Sequence, residues 1–227
     1  GGDQAEVKSV ITKPTQDPHD YEATAQDKLA FSKASIAIVN GGGYDDWATT
    51  LAKSSDSKPT LIDAVTASGL KTADDADHEE HGDHDADHEG HHHHHHHGEF
   101  NEHVFYSIDT ALKVSKVIET QLSKADPDHA NDYKANADEF AGQLKDLDKK
   151  ADSFADSHKD VHALATEPVA GYLLQDMGIE DSTPEEFVTQ SETDAGPSTK
   201  TVADTKALLS GKKVQLLCGP SVSWGKN

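Results

Sequence analysis

Between residues 133 and 154 apolar side chains recur at Tyr133, Ala137, Phe140, Leu144, Leu147, Ala151 and Phe154. Spacings of four and three trace one face of an α-helix, and Gly142 alone interrupts the stretch. Asp126-Pro127 opens it, with Pro near the first helical position, where its missing N–H costs nothing. A helix of about 30 residues, over 126–158, is about 45 Å long and spans a whole domain. A coiled coil would carry the same stripe. Strand-like sequence resumes beyond it, however, so the chain reads as α/β segments on either side of one rod.

The flanking segments support that division. Residues 6–11 (EVKSVI) read as a short strand, and 23–35 as a helix capped by Thr24 with Leu29, Ala30 and Ala34 inward. Residues 36–39 (IAIV) read as a buried strand, ended by Gly41-Gly42-Gly43, a sharp turn without the GxGxxG spacing of a dinucleotide site. A helix over 44–54 and a strand over 60–65 follow. Ser107 or Asp109 then caps a helix running to about Lys124, with Ala111, Val114, Ile118 and Leu122 on one face. Past the rod, 161–165 reads as a strand, 169–177 as a helix, 188–191 as a possible strand, 199–209 as a helix and 213–217 as a strand. Strand–helix–strand alternation predicts α/β lobes with mainly parallel sheets. The expected domains are a lobe over 1–125, a long linking helix over 126–158, and a partial lobe over 159–227.

Composition resolves into two parts. The chain has 227 residues, a formal charge of −22 and 16 histidines. Eleven of those histidines (His78, His81, His84, His88 and His91, His92, His93, His94, His95, His96, His97) fall in one tract. From Asp74 to Glu99 that tract carries ten acidic residues and no Lys or Arg. It has no apolar period with which to offset the entropy of ordering, so it reads as a disordered insert at about 73–99. A terminal-type tag does not explain its HxxH and HDADH spacings. His88-Glu89-Gly90-His91-His92 matches the H-E-x-x-H zinc-protease pattern, but that chemistry needs a stable docked helix, and this segment contains Gly and lacks an apolar face. Interleaved imidazoles and carboxylates do suit weak capture of zinc and similar ions.

Elsewhere the composition excludes more than it selects. Acid outnumbers base by 42 to 20, which argues against nucleic-acid binding. No run reaches the length of a membrane span. A single cysteine, Cys218, excludes both an internal disulfide and a multi-cysteine zinc site. Three ligand-type residues lie in predicted strand-to-helix loops, where open α/β sheets build sites: His19, His103 and Glu167. Spacing alone does not select these three. His129, His158 and His162 read as structural or solvated.

The segments DPHDYEATAQDKLAFSKASIAIVNGGGYDDW, NEHVFYSIDTALKVSKVIETQLSKADPDHANDYKANADEF and ATEPVAGYLLQDMGI, with the His-rich insert in order between the first two, cover most of the chain. Together they resemble the zinc- and manganese-type solute-binding proteins of bacterial ABC importers, most closely zinc-type members of high-GC Gram-positive bacteria. The resemblance implies two α/β lobes joined by one rigid helix, with a single divalent ion held by His19, His103 and Glu167, zinc ahead of manganese. It also implies a permease partner, a monomer, no catalytic step and an extracytoplasmic location. The family's signal segment and lipid anchor have no counterpart here. Members continue past the strand at 214–217, so the second lobe reads as truncated, and 218–227 does not align. The insert would act as a low-affinity collector. A zinc buffer or adhesin-like surface protein without a transport partner is the alternative, and a metallohydrolase is a distant third.

Overall fold

A computed structural model describes residues 2–13, 16–70, 100–191, 195–211 and 213–219. The His-rich tract, and the expectations attached to it, lie outside the described residues. Contacts divide the chain into one unit of Lys8–Glu102 and another of Gly1–Val7 with His103–Asn227.

The Lys8–Glu102 unit is built on two parallel strands, β1 (Ile36–Val39) and β2 (Thr60–Asp63), with Ile36 opposite Thr60 and Val39 opposite Asp63. Helix α1 (Ala25–Phe31) begins at the predicted cap. Thr24 accepts from the Asp27 N–H while the Asp27 carboxylate accepts from Thr24, a reciprocal capping box. Helix α2 (Asp46–Ser54) follows β1, and α3 (Ala64–Ser68), which the sequence did not suggest, follows β2 with Asp63 as its cap. Phe31, Ala37, Val39, Ala48, Leu51 and Ala52 form the core. Two expectations fail here. Residues 6–11 find no strand to pair with, and Val7 stays 81% exposed. In α1 the inward residues are Asp27 and Phe31, while Leu29 faces solvent. The capping box sets that rotation, because it turns Asp27 towards the Tyr21 hydroxyl.

The second unit holds the rod. Helix α4 (Ile108–Ala125) is capped by Ser107, whose hydroxyl accepts the Thr110 N–H, and Asp176 accepts the Ile108 N–H at 3.1 Å. A 3-10 turn, Pro127–His129, leads into α5 (Ala130–Ser157), 28 residues and about 42 Å by helical rise. Tyr133 and Ala151 of the predicted stripe are buried, whereas Phe140 and Leu147 are 44% and 46% exposed. Strands β3 (His162–Ala165), β4 (Glu180–Asp181) and β5 (Leu216–Cys218) form a parallel sheet in the order β4-β3-β5. Helix α6 (Gly171–Asp176) contributes Leu174 to a core with Ala163 and Ile179. Helices α7 (Glu185–Ser191) and α8 (Thr199–Ser210) complete the unit. The possible strand at 188–191 is therefore helical. Its two leading glutamates suit a helix N-terminus, a local signal that outweighs the β-branched residues behind it.

The α4–α5 junction is tied by one carboxylate. Asp126 accepts the Tyr133 hydroxyl at 2.7 Å and pairs with the His129 ring at 2.8 Å, and these bonds hold its pKa below the usual carboxylate range. A depressed carboxylate stabilises the fold above its unfolded pKa and loses that contribution as pH falls through its folded pKa. Asp126→Asn should therefore flatten the acid limb of a stability-versus-pH curve, read by circular dichroism, below about pH 4. An unchanged acid limb would show that the bonds contribute nothing.

Candidate metal centre

The loop 17–22 sits between two anchors. Tyr21 donates its hydroxyl to Asp27 in α1 at 2.9 Å, and Trp47 in α2 donates its indole N–H to the Pro18 carbonyl at 2.9 Å. The Tyr21 and Trp47 rings pack at 4.7 Å. A backbone held from both sides presents His19 with little freedom, which lowers the entropy lost when a ligand orders it.

The second contributor is the turn after β1. Gly41 and Gly42 adopt φ of +79° and +65°, in the left-handed region. A Cβ on Gly41 would land on the Asp63 carboxylate, and one on Gly42 would meet Phe100 at 3.0 Å and Val65 at 3.1 Å. Glycine is thus required twice, first by conformation and then by close approach. Asp45 closes the turn by accepting the N–H groups of Asn40 and Gly41. The Asn40 side chain donates to the Glu102 carbonyl at 2.8 Å, which fastens the segment carrying Glu102 to the end of β1. Gly41→Ala should cost about 1–3 kcal/mol of stability. It should lower the melting temperature by several degrees, and a calorimetric scan within one degree of the parent would refute the steric account.

These anchors place the His19 imidazole between two carboxylates. Nδ1 lies 2.9 Å from Asp17 Oδ1, and Nε2 lies 3.1 Å from Glu102 Oε1. The Tyr44 ring stands edge-on to it at 4.8 Å. Burial of the ring works against its proton, but the hydrogen bonds to Asp17 and Glu102 prevail and raise the His19 pKa above 6.5. The Tyr44 phenol is pushed up by burial, and then by the charges of Asp17, Asp45 and Glu102. The loop ends therefore carry a negative potential that favours a cation. In the protonated ring the Nε2 proton occupies the line to Glu102, and a divalent ion would replace it there.

His103 follows Glu102 directly in the chain and is buried, 7% exposed, ahead of the 3-10 turn Val104–Tyr106. Its ring packs edge-on to Phe105 at 5.8 Å. Within the Lys8–Glu102 unit the metal-capable side chains of His19 and Glu102 meet, and His103 is the next residue in the chain. Glu102 was not singled out in the sequence, although the Asn101-Glu102-His103 run places a carboxylate next to the chosen imidazole. Glu167, the third predicted ligand, is exposed just before the turn Pro168–Ala170, in the unit that begins again at His103. The remaining described histidines have structural partners: His129 with Asp126, His158 stacked on Phe154 at 4.1 Å, and His162 with Ser182 at 3.0 Å. Burial raises the Cys218 pKa, which disfavours the thiolate a metal needs.

A family model described as ZnuA, zinc-uptake complex component A periplasmic, matches residues 1–223. The chain is 29% identical over 198 residues to the zinc-binding protein AdcA of Streptococcus pyogenes serotype M6, covering 86% of this chain and 38% of AdcA. It is 29% identical over 178 residues to the high-affinity zinc uptake system protein ZnuA of Bacillus subtilis, covering 78% of this chain and 53% of that one. The chain thus spans about half or less of the length of these relatives. Among solved structures, the metal-dependent lipoprotein YcdH from Bacillus subtilis superposes with a TM-score of 0.72 at 20% identity, over 99% of this chain and 74% of YcdH. That likeness shows a shared fold.

Proposed function

The chain belongs to the periplasmic zinc-uptake complex component A family, and from that premise we propose that it is the extracytoplasmic metal-binding component of an ABC importer. It takes up one divalent ion, zinc ahead of manganese, and presents it to a membrane permease. His19 and His103 supply imidazole nitrogens. Glu102 supplies a carboxylate, and Glu167 is the further carboxylate that the family resemblance nominates. Two imidazoles with one or two carboxylates suit four- or five-coordinate zinc, and the same set is acceptable to manganese. The observation that carries the reading is the His19 ring held between Asp17 and Glu102, with His103 the residue after Glu102 in the chain.

No reaction is required of this set. The ion exchanges its waters for protein donors, the displaced imidazole protons leave, and the loaded form is the species delivered. Among the described residues no helix is long and apolar enough to cross a membrane. The His-rich tract serves as a weak collector, since its many interleaved imidazoles and carboxylates suit zinc and similar divalent ions.

Zinc calorimetry on the chain with and without residues 74–98 separates these roles. One tight equivalent should persist in both proteins, and the weak multiple phase should vanish with the tract. Loss of the tight equivalent along with the tract would favour a zinc buffer that needs no His19 site.

A further inference from the structure

We propose that Asp17 is the positioning residue for His19, because one of its oxygens accepts both the His19 backbone N–H and the His19 Nδ1–H, each at 2.9 Å. The inference rests on the reading that His19 binds the ion.

The two bonds do different work. The first closes an Asx turn across Pro18, whose ring fixes φ, so the His19 backbone is set before any ligand arrives. The second holds the imidazole plane and keeps a proton on Nδ1. When an ion takes the place of the Nε2 proton, the lone pair left to bind it is on Nε2, the nitrogen that faces Glu102. A neutral imidazole in water favours the opposite tautomer, with the proton on Nε2, where it blocks the ion. A carboxylate on the far nitrogen also makes the ligating nitrogen a stronger donor. Asp17 needs no contact with the ion for any of this, and its side chain is 62% exposed. Its acceptor reach, rather than its burial, makes the arrangement.

Two substitutions separate the turn from the ring. Asp17→Ser keeps an oxygen that accepts the His19 N–H in an equivalent turn, but the shorter side chain falls away from Nδ1. Asp17→Asn keeps an oxygen within reach of both donors. Zinc affinity is measured on the full chain by chelator competition, and the His19 ring nitrogens are read by 15N NMR with one equivalent of zinc. The His19→Ala spectrum identifies the signals.

Asp17→Ser should weaken the tight site by about 10–100-fold and shift or broaden the His19 Nδ1–H signal. Asp17→Asn should recover most of the affinity and keep that signal. If Asp17→Ser binds zinc as the parent does while His19→Ala loses the tight site, turn closure is the whole role of Asp17 and the inference is overturned. Weakening by both variants with an unchanged Nδ1–H signal overturns it too, because only charge was lost. If His19→Ala keeps the tight site, the ligand assignment falls and takes this inference with it.

Discussion

His19→Ala raises the dissociation constant of the tight zinc equivalent by roughly 100-fold or more and leaves the weak phase untouched. The scale follows from the 10–16 kcal/mol that a structural zinc site yields, about 3 kcal/mol for each of four donors. The loss should be steeper than that for an exposed histidine in solution, because the loop that carries His19 is already held by Trp47 and Tyr21. None of that organisation helps an alanine. Glu102→Gln should follow with a smaller loss, since an amide oxygen still coordinates but carries no charge. His103 is buried, so His103→Ala needs a melting temperature beside its affinity before its loss is read as a lost ligand. If chelator competition returned the same tight constant for His19→Ala as for the parent, the ion would be bound elsewhere.

The second large effect is acid release. In the metal-free fold the His19 pKa is raised above 6.5, so protons begin to compete with the ion above that pH. Each imidazole proton that the ion must displace weakens apparent affinity about tenfold per pH unit below the pKa. Between pH 7.5 and 5 the tight site should lose at least about one order of magnitude through His19 alone. Stability of the metal-free fold has the opposite slope. A raised folded pKa gives a contribution that is full below the unfolded value and is lost as pH rises through the folded one. Glu102→Gln and Asp17→Asn should each lower the His19 pKa and move the release to lower pH. A zinc affinity constant from pH 7.5 to 5 would contradict this linkage.

Much of this was legible in the residues. The Thr24 cap, the IAIV strand, the triple-glycine turn, the Ser107 cap and the rod all follow from local rules, because their signals are local. The strand expected at 6–11 depended instead on a pairing partner, and alternating apolar residues cannot show whether one is present. At Glu185–Ser191, Val188 and Thr189 suit a strand, while the acids that start the helix lie up to three residues earlier. At the site, His19 and His103 stand out through family resemblance. Glu102 does not, since a glutamate in a loop is usually solvated. Its contact with His19 joins residues 83 positions apart, and it exists because Asn40 fastens the Glu102 carbonyl to the end of β1.

Anomalous diffraction at the zinc edge, on crystals of the full chain grown with one equivalent of zinc, tests the central claim most directly. The account predicts one strong peak within about 2.0–2.1 Å of His19 Nε2 and of a His103 nitrogen, with a carboxylate oxygen completing the set. A crystal whose zinc sits only on the histidines of 78–97, with His19 still bonded to Glu102, would contradict it.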